Sequence, residues 1–202
     1  MSTEIPAKLV KALRDATGAG MMECKAALQE ANGDIEAATL ILRKRGLASA
    51  AKKSGRATSE GLIGSYIHAG GKIGVLIELN CESDFVARTD DFQTLLRELA
   101  LQVAAANPQY VTREEIPADI IAREKSVYAA QMENSGKPPQ VIEKIVEGKL
   151  GSFYSQFVLL DQPYIRDDKM TVSQLVAQAS AKTGENIQVS RFVRFRVGEA
   201  NE

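Results

Sequence analysis

The stretch Asn80-Cys81-Glu82-Ser83-Asp84-Phe85-Val86-Ala87-Arg88 joins two kinds of hydrophobic periodicity. Upstream, Ile73, Val75, Ile77 and Leu79 alternate with a period of two, as a half-buried strand requires. Downstream, Phe92, Leu95, Leu96, Leu99 and Val103 recur at three- and four-residue steps, as along one face of a helix. Ser83 can accept the first free amide hydrogens of a helix, and Asp84 stands where the positive end of a helix dipole favours a carboxylate. The stretch therefore reads as a strand-to-helix corner that carries a carboxylate beside an aromatic ring. Spacing alone leaves two readings of Phe85: it packs into the chain's own core, or it faces outward.

Working outward, Leu62 to His68 and Lys72 to Asn80 flank Ala69-Gly70-Gly71, a hairpin signal because glycine supplies the positive φ of tight turns. The helix after the corner is expected to end near Asn107-Pro108 and to pack across the hairpin. Helical patterns over Ala118 to Met132 and Pro138 to Leu160, separated by Asn134-Ser135-Gly136-Lys137-Pro138-Pro139, predict a helical hairpin. Pro163 to Lys169 reads as irregular, and Thr171 to Thr183 as a helix stopped by Gly184. Ile187 to Val197 reads as a third strand, in which Arg191, Arg194 and Arg196 interleave with Phe192 and Phe195, predicting one buried and one basic face.

Before the hairpin lie three helical segments. Thr3 is a candidate cap for the first, with Pro6 in its opening turn and Ile5, Leu9 and Leu13 inward, and Thr17-Gly18 ends it. The second follows Gly18-Ala19-Gly20, carries Met21, Met22, Cys24, Ala26, Ala27 and Leu28, and stops at Asn32-Gly33. The third is capped by Asp34, turns Ile35, Ala38, Ile41 and Leu42 inward, and closes on Arg43, Lys44 and Arg45 before Gly46. Leu47 to Gly61 is small, polar and basic and reads as a linker, its first part able to continue the helix. The expected organisation is α+β: a three-helix bundle with its basic linker over residues 1–55, then a core over 56–202 built on a small antiparallel three-stranded sheet packed by helices and a helical hairpin. A bundle of about 45 residues is marginal alone and suits the presentation of one apolar patch.

Composition narrows the function classes. The chain has 202 residues, 45% hydrophobic and 25% charged, as in a soluble globular protein, and no apolar run nears the roughly 20 residues of a membrane helix. The start Met-Ser-Thr-Glu-Ile-Pro lacks the basic and apolar regions of a secretion signal, so a cytoplasmic protein is expected. Its two cysteines, Cys24 and Cys81, have no neighbouring cysteine or histidine at metal spacing and read as reduced structural thiols. The net charge of −1 hides a basic N-terminal module: residues 1–56 hold ten Lys/Arg against six Asp/Glu, leaving the remainder at −5, which suggests an acidic partner surface.

Catalytic patterns fail one by one. His68 is the sole histidine, which leaves no second imidazole for a His-rich metal site. Gly70-Gly71-Lys72 lacks the earlier glycine and following Ser or Thr of a phosphate loop, and Gly18-Ala19-Gly20 lacks the third glycine of a dinucleotide fingerprint. Asp90-Asp91 and Asp167-Asp168 are adjacent pairs that diverge on a helix or are solvated in a loop. No enzyme class, cofactor or metal is therefore expected. Arg43 to Arg45, Lys52, Lys53 and Arg56 keep open an RNA- or ribosome-binding module, and a third reading is a peptide-binding bundle.

Two stretches carry a resemblance. Leu13-Arg14-Asp15-Ala16-Thr17-Gly18-Ala19-Gly20-Met21-Met22-Glu23-Cys24-Lys25-Ala26-Ala27-Leu28 resembles the N-terminal signature of the elongation factor Ts family, and Glu78 to Arg88 is similar to its second signature. Ser135-Gly136-Lys137-Pro138, Ile145-Val146-Glu147-Gly148 and Thr183-Gly184-Glu185-Asn186-Ile187 extend the likeness over nearly the whole chain. Glu23 stands where the family usually has aspartate, and Ser83 where it usually has threonine; charge and capping hydroxyl are kept. The resemblance implies a UBA-like N-terminal bundle and a guanine nucleotide exchange factor of the translational GTPase elongation factor Tu, with no active site of its own. It further implies that Ser83, Asp84, Phe85 and Val86 dislodge Mg²⁺ from that partner, Phe85 as a wedge between its helices, and that Met21, Met22 and Lys25 meet its nucleotide domain. In short family members it implies pairing of two copies.

Overall fold

The computed structural model describes residues 5–132 and 135–199. The expected cap at Thr3 and the Asn134 position of the predicted turn lie outside the described residues. Helices α1 (Ala7–Thr17), α2 (Met21–Glu30) and α3 (Ile35–Lys53) form the bundle. Strands β1 (Glu60–Ile67) and β2 (Ile73–Cys81) form the hairpin, followed by the one-turn helix α4 (Asp84–Ala87) and the long helix α5 (Asp90–Ala106). Helices α6 (Ala118–Ala130) and α7 (Pro139–Phe157) pack on each other. Strands β3 (Pro163–Tyr164) and β4 (Asp167–Thr171), helix α8 (Val172–Thr183) and strand β5 (Gln188–Arg196) complete the chain. The α+β class is the one the periodicity predicts.

By compactness the chain divides into two units that interleave along the sequence. The first comprises Met1–Leu62, Leu79–Leu96 and Gln174–Gln188; the second comprises Ile63–Glu78, Arg97–Ser173 and Val189–Glu202.

In the first unit, Ile5, Val10, Leu13, Cys24, Ala27, Leu28 and Ala38 make one core, flanked by Leu9, Ile41 and Leu42. Leu13 and Leu28 are completely buried, each contributing roughly 1.5–3 kcal/mol of transfer free energy. Gly18 in the left-handed conformation closes α1, donating its amide to the Arg14 carbonyl, and the Asp34 carboxylate caps α3 by accepting from the Ala37 amide at 3.0 Å. Two expectations for α3 are corrected. Ile35 is exposed, because the first turn emerges from the tight turn at Asn32 and Gly33, both at positive φ, and the buried stripe starts at Ala38. The helix also does not close before Gly46 but runs on to Lys53, in line with a linker whose first part is able to continue it, so Arg43, Lys44 and Arg45 lie inside it and Lys52 and Lys53 fill its last turn. Gly46 is buried, and a Cβ there would stand 3.7 Å from the Ala181 Cβ, an ordinary packing contact, so a poor helix former sits inside a helix that its neighbours continue.

The three-stranded sheet has the order β1-β2-β5. Its hairpin turn is closed by hydrogen bonds from His68 N to Ile73 O and from Gly71 N to His68 O, both 2.9 Å, with Gly70 and Gly71 at positive φ. Val75, Ile77 and Leu79 of β2 are buried, as their alternation predicts, with Ile73 half-buried and Cys81 continuing the buried side, and Phe92, Leu95, Leu96, Leu99 and Val103 of α5 are buried as well.

Strand β5 does not divide into apolar and basic faces. Val189, Phe192 and Arg194 are the partly covered residues, Phe195 is exposed, and the Arg194 guanidinium is enclosed between the Ala104 carbonyl at 3.4 Å and the Glu199 carboxylate at 3.2 Å. Arginine three residues from arginine on a period of two alternates faces, so the basic residues cannot share one. The segment 163–169, expected to be irregular, contains part of the β3–β4 hairpin. Buried Gln102 fixes it, donating to the Pro163 carbonyl at 3.2 Å and accepting from the Ile165 amide at 2.9 Å. Side-chain-to-backbone bonds of this kind leave no hydrophobic period in the sequence.

Candidate functional site

Ser83 is extended, with φ −134° and ψ 155°, and its hydroxyl oxygen accepts from the Val86 amide at 3.4 Å, making it the cap of α4. Val86, 9% exposed, and Ala87 turn inward. Phe85, the residue before them, points away from the side they bury and stands 78% exposed. The two readings of Phe85 are thus resolved in favour of the outward one. The Asp84 carboxylate is half exposed and accepts from Arg88 Nη2 at 2.7 Å one turn on, an exposed pair of small net value that a docking surface can displace cheaply. Thr89 breaks the helix and restarts it: its hydroxyl donates to the Val86 carbonyl at 2.7 Å and accepts from the Phe92 amide at 3.3 Å at the start of α5.

The corner is anchored from behind. One Glu185 carboxylate oxygen accepts from the Glu82 and Ser83 amides, each at 3.0 Å, and the other accepts from the Ser83 hydroxyl at 2.6 Å. In return the Glu82 carboxylate accepts from the Asn186 amide at 2.6 Å and from Arg56 Nη1 at 3.4 Å. Buried Asn186 donates its side-chain amide to the Arg56 carbonyl at 2.9 Å and the Ser54 carbonyl at 3.4 Å. Three segments far apart in sequence therefore meet beneath the exposed ring. Burial first, and the Glu185 carboxylate second, push the Cys81 thiol above its usual range and keep it protonated. Sequence reading gave Glu185 and Asn186 no role, and only the match over Thr183 to Ile187 marked them.

On the bundle of the same unit, Met21, Met22 and Lys25 are all exposed, Met22 at 76%, while Cys24, Ala27 and Leu28 take the buried side of α2. Glu23 reaches back to the Gly20 amide at 3.3 Å, fixing the start of this helix. The paired methionines thus form a polarisable, adaptable surface on a rigid turn. Among the described residues, no three His, Cys, Asp or Glu side chains gather as a metal ion requires, and His68 lies against the Tyr66 hydroxyl at 3.1 Å. Also among them, no helix is long and apolar enough to cross a membrane.

Residues 43–199 match the family described as Elongation factor TS. The chain is 62% identical over 196 residues to Elongation factor Ts of Fervidobacterium nodosum, covering 97% of this chain and 100% of that protein. It is 58% identical to the protein of the same name from Coprothermobacter proteolyticus, over 97% and 100% of the two chains, and 58% identical to that of Anaeromyxobacter sp. strain Fw109-5, over 98% and 91%. With this likeness running from the bundle through the corner to the last strand, the chain belongs to the elongation factor Ts family.

Proposed function

We propose that this chain is the guanine nucleotide exchange factor of elongation factor Tu: it binds the GDP form, dislodges Mg²⁺ and promotes GDP release so that GTP can follow. The observation that carries the reading is Phe85, a bare aromatic ring at the tip of a capped turn whose neighbours Val86 and Ala87 are buried. A translational GTPase holds GDP through phosphate-loop amides and Mg²⁺, so an exchange factor must prefer the state in which those contacts are damaged. Reciprocity then makes GDP weaken the factor by the same coupling free energy. Burying Phe85 between partner helices is worth roughly 1.5–3 kcal/mol, gained only once those helices part. Asp84 brings a carboxylate to the groups that order the metal and its water, Ser83 and Val86 hold the turn that carries both, and Met21, Met22 and Lys25 provide a second contact on the nucleotide domain. The chain makes and breaks no covalent bond in this role, needs no cofactor, and works in the cytoplasm, where translation runs.

Phe85→Ala should lower the rate of fluorescent GDP release from elongation factor Tu roughly ten- to a hundred-fold while leaving the unfolding midpoint almost unchanged. An unchanged release rate sinks the wedge. A pull-down with the intact chain should recover one stoichiometric GTPase that excess GDP removes. Direct RNA binding has less support, because Arg45 pairs with Glu30 at 2.6 Å, Arg56 with Glu82, and Lys53 donates to the Ser180 carbonyl at 3.1 Å.

We also propose that two copies pair through the sheet face of the second unit. Ile63 and Ile67 of β1, Leu76 of β2, and Val193, Phe195 and Val197 on and beyond β5 are exposed there, and Ile63, Leu76 and Val193 line one depression with Arg191 and Glu78. An apolar face of this kind is self-complementary about a two-fold axis.

A further inference from the structure

Helix α4 has only four residues, too few to hold itself together, so the direction in which Phe85 points must be imposed from outside. Behind it, one carboxylate takes up three donors at the root of the turn. Glu185 accepts both amides that lead into the helix, those of Glu82 and Ser83, and the Ser83 hydroxyl that caps it. Since that hydroxyl donates to Glu185, its lone pairs are left facing the Val86 amide, which it accepts at 3.4 Å. Glu185 is itself aimed by its turn: Gly184 at φ +81° follows α8, and the Glu185 carbonyl accepts from the Ser180 hydroxyl at 2.5 Å.

We propose that Glu185 is a positioning residue for nucleotide exchange, fixing the backbone at Glu82 and Ser83 so that Phe85 is presented rigidly to the GTPase. This rests on the wedge reading above. A wedge transmits strain only if its root does not yield, and freedom at residues 82–84 would let the ring dock without parting the partner's helices. The same segments stay joined without Glu185, through the Glu82 carboxylate on the Asn186 amide and the Asn186 side chain on the Arg56 carbonyl. Its removal therefore loosens the corner more than it loosens the fold.

The test is fluorescent GDP release from elongation factor Tu, measured with the full chain over a range of factor concentrations, for Glu185→Ala, Glu185→Gln and Phe85→Ala singly and for the Glu185→Ala/Phe85→Ala pair. Glu185→Ala should lower the maximal rate about ten-fold, with the half-saturating concentration within roughly three-fold of the parent and a largely retained unfolding midpoint. Glu185→Gln, which keeps one oxygen for the two amides, should recover most of the rate. In the Phe85→Ala background Glu185→Ala should add nothing, because it acts through the ring. A normal maximal rate in Glu185→Ala, or an undiminished effect without the ring, overturns the inference while leaving the wedge standing. A normal rate in Phe85→Ala overturns both. If Glu185→Ala does not fold, Ser83→Ala serves: it deletes the hydroxyl link to Glu185 together with the cap on the Val86 amide, and a maximal rate equal to the parent's would overturn the proposal.

Discussion

An exposed phenylalanine forgoes roughly 1.5–3 kcal/mol of burial, and Phe85 is held in that state by its neighbours. Val86 and Ala87 take the inward positions of the turn, while Ser83 and Glu185 fix its start. Elsewhere a single residue tightens the second unit. Burial first, and the Glu98 carboxylate accepting its hydroxyl at 2.6 Å second, push Tyr164 up to about 12. The native state thus holds this proton more tightly than the unfolded chain, whose tyrosines titrate near 10. Its contribution to stability is fully present below about pH 10 and is lost as pH rises through about 12. Denaturant unfolding of Tyr164→Phe should lack that part of the alkaline decline, and its tyrosinate absorbance titration should lack the latest phase.

At the scale of elements, two glycines predict opposite outcomes. Gly61, the second residue of β1, has φ +149°, and a Cβ there would stand 2.2 Å from the Leu79 carbonyl oxygen; no side chain fits without moving the strand. Gly61→Ala should cost about 2–4 kcal/mol in denaturant unfolding. Gly46 in α3 has helical geometry and only an ordinary contact ahead of it, so Gly46→Ala should stabilise by roughly 0.5–1 kcal/mol. The same position shows how α3 outruns its sequence signal: Gly46 looks like a stop, but it keeps helical geometry and is buried beside Ala181 of α8. Strand β5 shows the converse, since its basic residues were visible but the carboxylate and carbonyl that enclose Arg194 were not.

For the molecule as a whole, the exposed sheet face and the exposed ring belong to different units, and we propose different partners for them. Phe195→Asp, at a residue 58% exposed, should shift sedimentation from dimer to monomer without lowering the unfolding midpoint of the monomer. A chain that already sediments as a monomer well above micromolar concentration counts against pairing. Pairing through the second unit leaves Phe85, Met21 and Met22 in the first, so the same variant should retain most of its GDP-release activity per chain.

The sequence by itself determined the α+β class, the strand-to-helix corner, the hairpin turn and the buried stripe of α5, because each is written in local periodicity or in a glycine's conformational freedom. It also marked Ser83, Asp84 and Phe85, through a capping pattern and a resemblance. Only the tertiary structure decided that Phe85 faces outward, that Val86 faces inward, and that Glu185 grips the corner from about a hundred residues away. Burial depends on which neighbours arrive in space, and a carboxylate that binds backbone amides leaves no period in its own segment. These features therefore appeared only when the chain was folded.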